Sequence, residues 1–252
     1  MGALIGAIAL VDLDDTLFQT RRKCPPELGE EQLTALGFAR DGSALSFATP
    51  RQMRFLRWLS ETTHFVPVTA RSLDALRRVQ VRHAAAICAH GGLILDEAGA
   101  IDREWQAHVA GQAAPHARTL AEIAEAIAEE GRRRREPLSV RVLSEGGVPL
   151  YVVAKHPDAD VLALNAVVNA ALPELPAEWI EHRNGNNVAL LPPHLGKDRA
   201  VRHILPSLRA RFPEAPVIGI GDSRTDAAFM RLCDFAMLPT GSQLAERLLD
   251  AC

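Results

Sequence analysis

Close to the start of this chain an apolar run, Leu4 to Leu10, is closed at once by Val11-Asp12-Leu13-Asp14-Asp15-Thr16-Leu17. A run this short, with Ile5, Ile8 and Leu10 among small residues, reads as a strand buried on both faces. It delivers acids to its C-terminal end, the edge at which open α/β sheets bind ligands. Asp12 and Asp14 stand two apart. Fully extended backbone would point both the same way, whereas a turn beginning between them would let both face one ligand. Two short acids in a turn are also a common solvated loop. The rest of the chain decides between these readings.

The segment Phe18 to Phe47 is rich in Pro, Gly and charge and reads as a loop or flap, with a short helix around Glu30 to Leu36. Thr49-Pro50 gives an N-cap followed by proline at the first helical position. Met53, Leu56 and Leu59 carry that helix to about Thr62. Phe65-Val66-Pro67-Val68 is the next strand, ending in Thr69-Ala70-Arg71-Ser72, and Leu73, Leu76 and Val79 start another helix. Ala84 to Ala89 is a third apolar strand. It runs into His90-Gly91-Gly92 and a hairpin at Leu93-Ile94-Leu95, with Asp96 to Gly99 turning. The order β, α, β, α, β is that of a parallel sheet with helices on its faces.

From about Arg103 to Pro192 the pattern changes. Leu120, Ile123 and Ile127 mark a helix over Ala117 to Glu130. Leu138 to Leu143 and Leu150 to Ala154 are strands split by the turn Glu145-Gly146-Gly147; Asp158 to Leu172 is helical; Trp179 to Glu181 and Val188 to Leu191 are strands. Such a β-β-α-β-β segment is a small α/β module, residues 104–190, inserted into a larger domain made of 1–103 and 191–252. Arg132 to Arg135 lie at a helix end, where cations complement the helix dipole. Alternating helices and apolar strands then resume. Gly196-Lys197-Asp198-Arg199 opens a helix, and Pro216 to Ile220 is a strand ending in Gly221-Asp222-Ser223-Arg224-Thr225-Asp226. A helix (Ala228 to Leu232), a short strand (Phe235 to Leu238) and a last helix from about Ser242 to Leu249 complete the chain. The fold class is α/β: a Rossmann-like, doubly wound parallel-sheet core with an inserted α/β cap.

Composition narrows the function classes. A net charge of −3 offers no electrostatic case for a nucleic acid or an anionic membrane as partner. Cys24, Cys88, Cys233 and Cys252 lack metal-type spacing, so neither a zinc site nor a disulfide framework is indicated, and reduced thiols in a cytoplasm are expected. The stretch Met1 to Val11 has no basic n-region or small-residue cleavage site and is too short to span a bilayer. Gly6 stands where a myristoylation signal has Ser or Thr. A soluble cytoplasmic protein, monomer or homodimer, is the expectation.

Three strand ends therefore carry polar clusters: Asp12/Asp14/Asp15, Thr69/Arg71/Ser72 and Asp222/Asp226; a helix start carries Lys197. In a doubly wound sheet these ends converge on one crevice. The set suits phosphoryl transfer. Grouped carboxylates bind Mg²⁺, a hard cation; a hydroxyl with backbone N–H groups at a helix N-terminus holds phosphate oxygens. A lysine adds a point charge, one carboxylate can attack phosphorus and another can shuttle a proton.

These four pieces, in this order, resemble the haloacid dehalogenase superfamily of aspartate-nucleophile phosphatases. Asp12-Leu13-Asp14-Asp15-Thr16-Leu17 is similar to its first motif, Thr69 to its second, Lys197 to its third, and Gly221-Asp222 with Asp226 to its fourth. The resemblance implies that Asp12 attacks phosphorus and forms an aspartyl-phosphate, while Asp14 protonates the leaving oxygen and then deprotonates the hydrolytic water. It implies that Thr69, with nearby backbone N–H groups such as that of Ala70, binds phosphoryl oxygens. Lys197 would offset the charge between nucleophile and phosphate. Mg²⁺ would be held by Asp12, the Asp14 carbonyl oxygen and Asp222, with Asp226 acting through water.

The position and size of the insert resemble the α/β cap of the Cof-like and sucrose-phosphatase-like branch, in which the cap closes over substrate and sets specificity. His90-Gly91-Gly92 is similar to that branch's Asn-Gly-Gly hairpin with His in place of Asn. Thr225-Asp226 in the fourth motif, with Thr where the branch has Asn, resembles trehalose-phosphate phosphatases. Both neighbours imply a phosphorylated sugar or glycoside as substrate. The segment Phe18 to Phe47 departs from both. Arg71 either contacts substrate or caps its own helix; Arg183 and Asn186 belong to an Asn/Gly-rich loop that either reads substrate or simply turns. His90 reads as structural, since Asp14 fills the role of base. The alternatives to a phosphatase are a phosphomutase or phosphotransferase of the same fold, or a non-catalytic phosphosugar-binding protein.

Overall fold

A computed structural model describes residues 5–249 of the chain. Met1 to Leu4, the first residues of the N-terminal apolar run, and Cys252 lie outside the described residues. In chain order the first elements are β1 (Ala7–Val11), β2 (Gln19–Thr20), β3 (Thr34–Phe38), β4 (Ala44–Ala48), α1 (Pro50–Thr62), β5 (Thr63–Pro67), α2 (Leu73–Leu76), β6 (Ala86–Cys88) and β7 (Leu93–Leu95). They are followed by α3 (Arg103–Ala113), α4 (Ala117–Arg134), β8 (Ser139–Glu145), β9 (Val148–Lys155), α5 (Val161–Ala171), β10 (Ile180–Arg183) and β11 (Val188–Leu191). The last are α6 (Lys197–Arg211), β12 (Val217–Ile220), α7 (Arg224–Met230), β13 (Phe235–Met237) and α8 (Gln243–Leu249).

The chain forms two compact units; one runs to Trp105 and resumes at Lys197, and the other is Gln106–Gly196. The first is built on a parallel sheet of order β13-β12-β1-β5. All five residues of β1 are buried, as a strand covered on both faces requires. β6 continues the sheet beyond β5 through a parallel bridge between Val68 and Ile87, and it pairs antiparallel with β7. The strand that follows β1 in this sheet, β5, lies on one side of it, and the strand reached later, β12, on the other. That reversal opens a crevice at the C-terminal end of β1, where Asp12 sits.

The segment after β1 differs from the loop and short helix expected of it. β2, β4 and β3 form a three-stranded antiparallel sheet, and Glu30–Gln32 makes only a single 3-10 turn. The two acids at Glu30 and Glu31 mimic a helix start, but Leu36, Ser46 and Ala48 are buried in the pairing of β3 with β4 and strand geometry wins. Arg40-Asp41-Gly42 turns the hairpin, with Gly42 at φ +85° and the Asp41 carboxylate accepting from the Ser43 N–H at 2.9 Å. The helix expected through Val79 is also short. The Gln80 N–H donates to Leu36 O at 2.7 Å and the Phe38 N–H to Arg78 O at 3.1 Å, so β3 captures the backbone that would have extended α2.

The second unit has a four-stranded antiparallel sheet of order β10-β11-β9-β8, packed by α4 and α5 through Leu120, Ile127, Val152, Leu164 and Val188. Gly146 and Gly147 both take positive φ at the β8–β9 turn, the geometry that closes a two-residue hairpin. Helix α3 goes beyond the elements expected from sequence. Its signal is the buried spacing Trp105, Val109, Ala113 behind an Asp102 carboxylate that caps the Trp105 N–H at 2.9 Å. Among the described residues no disulfide forms, and no helix is long and apolar enough to cross a membrane.

Candidate active site

Hydrogen bonds between neighbouring strands bring the motif residues to one place. The Asp12 N–H donates to Ile220 O and the Val68 N–H to Val11 O, both at 2.8 Å. Asp12 therefore lies beside Gly221-Asp222 on one side and Val68-Thr69 on the other. Thr69 and Ala70 follow directly on this edge. The Thr69 N–H donates to Ile87 O at 2.9 Å, and its carbonyl accepts from the His90 N–H at 3.1 Å. His90 itself is buried at φ +56°, between Ala89 and Gly91, which also take positive φ. Its backbone N–H braces Thr69.

The centre of the site is an ammonium shared by two acids. Lys197 Nζ donates to Asp12 Oδ1 and to Asp226 Oδ1, each at 2.6 Å, and all three side chains are buried. Asp226 is fixed further by Ser223, whose N–H and Oγ donate to its Oδ2 at 2.9 and 2.6 Å. Gly221 permits this: a Cβ there would fall 2.4 Å from Asp226 Cβ. Thr16 Oγ1 lies 3.2 Å from Asp12 Oδ2 and 3.5 Å from Asp222 Oδ1, linking nucleophile candidate and fourth motif. Thr16 and Ser223 carry no sequence signal of their own, although both stand inside motifs that do.

One ammonium faces three carboxylates, and the acids respond unequally. Burial pushes the Asp12 carboxyl well above the ordinary range; Lys197 opposes this, and Asp226, Asp222 and Asp14 add to it. Asp222 is pushed up to about 7 by burial and then by the charge of Asp226. Asp226 is also penalised by burial but is held below the ordinary range by Lys197 and the Ser223 donors. For Lys197 itself burial disfavours the charge, and the attraction of Asp12 and Asp226 outweighs it, leaving the ammonium more basic than usual.

The donor set fits a hard cation. Asp12, Asp222 and Asp226 carry carboxylate oxygens within 4.8 Å of one another, all buried, with more negative charge than Lys197 can balance. The Asp14 side chain is not in that group among the described residues. It faces Arg71, whose Nε and Nη2 donate to its two oxygens at 2.7 Å each.

Arg183 and Asn186 are in the second unit and are engaged there. Arg183 bonds Glu181, Asn165 (2.5 Å) and Asn169 (2.6 Å), tying β10 to α5. Asn186 accepts from the His156 N–H at 3.0 Å and donates to His156 O at 2.5 Å, which fastens its loop to the end of β9.

No family model matches the chain, and no curated protein matches it in sequence. Solved structures match it in fold. The sucrose-phosphatase of Synechocystis sp. PCC6803, in complex with sucrose and phosphate, is 15% identical, covers 96% of this chain and 96% of its own, and has a TM-score of 0.52. The C-terminal domain of C. albicans trehalose-6-phosphate phosphatase is 14% identical over 90% of this chain and 73% of its own, with a TM-score of 0.53. Thermoplasma acidophilum 0175 is 13% identical over 96% of this chain and 88% of its own, with a TM-score of 0.54. At these identities the likeness is one of fold: a parallel-sheet core with an inserted α/β unit, as the motifs implied.

Proposed function

We propose that this chain is a divalent-cation-dependent phosphomonoester hydrolase acting on a phosphorylated sugar or glycoside through an aspartyl-phosphate on Asp12. The observation that carries the reading is the buried Lys197 ammonium bridging Asp12 and Asp226 at the C-terminal end of β1. A solvated acidic loop has no use for a lysine buried at such desolvation cost. The fold shared with sucrose-phosphatase and trehalose-6-phosphate phosphatase supports the substrate class.

In this reading a carboxylate oxygen of Asp12 bonds to phosphorus as the ester P–O bond breaks, and Asp14 gives a proton to the departing oxygen. Asp14, now a carboxylate, takes a proton from water as the water oxygen attacks phosphorus, releasing inorganic phosphate and restoring Asp12. Thr69 Oγ1 and the Ala70 N–H hold phosphoryl oxygens, and Lys197 keeps Asp12 and the phosphate from repelling each other. Asp12, Asp222 and the Asp14 carbonyl would hold Mg²⁺, with Asp226 acting through water, and the cation would supply positive charge against the grouped carboxylates. Thr16 and Ser223 orient the acids.

The test is phosphate release from a panel of sugar phosphates and p-nitrophenyl phosphate, with and without Mg²⁺. The expected result is metal-dependent release that Asp12→Asn abolishes. Release that survives in Asp12→Asn would sink the assignment.

A further inference from the structure

Arg71 does not cap its helix: Ser72 does, its side chain accepting from the Ala75 N–H at 3.2 Å. The Arg71 guanidinium meets both Asp14 oxygens in a fork-to-fork arrangement that fixes the position and the plane of the carboxylate. Its surroundings are arranged to hold it. The buried Phe18 ring lies 5.2 Å from the guanidinium carbon, and Ser46 Oγ accepts from Nη2 at 3.2 Å. Its backbone is pinned at both ends: the Arg71 N–H donates to Thr69 Oγ1 at 3.1 Å, and the carbonyl accepts from the Ala89 N–H at 2.7 Å.

The wall behind this contact is the β2-β4-β3 sheet. Ser46 lies on β4, and Gly37 on β3 leaves room for it: a Cβ at Gly37 would fall 3.0 Å from Ser46 Cβ and 3.5 Å from Arg71 Nη2. β3 is fastened in turn to residues 78–80, by the backbone bonds that end α2 and by Arg78 Nε donating to Phe38 O at 3.1 Å. The sheet is thus anchored to the same stretch of chain that carries Arg71.

We propose that Arg71 is the positioning residue of this site, holding the Asp14 carboxylate in place, and that the sheet over residues 19–48 is the wall that seats it. The proposal rests on the phosphatase reading, in which Asp14 transfers a proton to the leaving oxygen and later receives one from water. Both Asp14 oxygens are taken up by guanidinium N–H donors. One oxygen leaves the fork to carry the proton while the other keeps the group oriented. Arg71 acts through Asp14 and touches neither phosphorus nor the leaving group.

The test uses two leaving groups. p-Nitrophenolate departs with little help, whereas a sugar alkoxide needs the proton. In Arg71→Ala, kcat for the best sugar phosphate of the panel falls about ten- to a hundredfold, part of the roughly 10²–10⁴ that a positioned acid contributes, while the first-turnover burst rate of p-nitrophenolate, which reports attack by Asp12 and not the later water step, changes by less than about threefold. KM for both stays near the wild-type value. Arg71→Lys recovers only part of the loss, because an ammonium cannot offer the fork, and guanidinium ion added to Arg71→Ala restores some sugar-phosphate turnover. Ser46→Ala keeps the Arg71–Asp14 bonds and gives the same pattern at smaller size, which decides the matter if Arg71→Ala does not fold. A p-nitrophenolate burst rate in a folded variant that falls as far as sugar-phosphate turnover would mean a purely structural role and overturn the proposal. A rise in KM alone would put Arg71 on the substrate and overturn it too. A folded wild-type protein inactive on every phosphomonoester would overturn the phosphatase reading itself, and this assignment with it.

Discussion

Lys197 is the side chain on which the site balances. Replacing it by Met leaves Asp12 and Asp226 buried without their shared counter-charge, and removing one partner of a buried pair costs about 3–5 kcal/mol. Chemical denaturation of Lys197→Met without metal is expected to show a loss of that order, partly recovered with Mg²⁺; a loss under about 1 kcal/mol would mean the pairing is weak. Asp222 adds a pH dependence. Its folded-state value near 7 lies above the ordinary 3.8, so the folded protein keeps a proton that the unfolded chain releases between these values. That contribution to stability is complete below the lower value and is lost as pH rises through the upper one. In EDTA the melting temperature should therefore fall further between about pH 5 and about pH 8 in the wild type than in Asp222→Asn. The same fall in both would contradict the assignment. The acids and the lysine are legible in the sequence because motif spacing places them at strand ends. Thr16 and Ser223 are less so: a hydroxyl that orients an acid looks like any other turn residue until the acid's position is known. Arg71 is legible as a site residue but not in its partner, since Asp14 lies 57 positions away.

At the scale of elements, local signals hold wherever they agree with the packing. Thr49-Pro50 begins α1 as its sequence requires, with the Thr49 side chain accepting from the Gln52 N–H at 3.3 Å and the Gln52 side chain accepting from the Thr49 N–H at 2.9 Å. Thr49→Ala is expected to destabilise the protein by about 1 kcal/mol in urea denaturation, and no measurable change would show the cap to be idle. The first parallel strand, β1, is readable because burial on both faces leaves only apolar residues along it. The β2-β4-β3 sheet is not. Its strands are short, register shifts between Ala35 and Phe38 interrupt the alternation along β3, and Glu30-Glu31 imitates a helix start. The short length of α2 has the same cause, a strand pairing with β3 that no local pattern announces.

The whole molecule divides into two compact units, the first built on a parallel sheet and the second on an antiparallel one. Side-chain engagement inside the second unit is beyond reach of sequence: Arg183 and Asn186 stand in a polar loop, and only the fold shows α5 and the end of β9 beside them. The chemistry claimed for the first unit is covalent, so the decisive measurement is direct. Wild-type protein with Mg²⁺ is mixed with its best sugar phosphate, labelled in the phosphoryl group, quenched in acid within one turnover, and digested. The expected result is label on the peptide containing Asp12, lost on treatment with hydroxylamine as an acyl phosphate must be, and absent from Asp12→Asn. Rapid turnover with no labelled peptide at any quench time, or label on a peptide lacking Asp12, would contradict it.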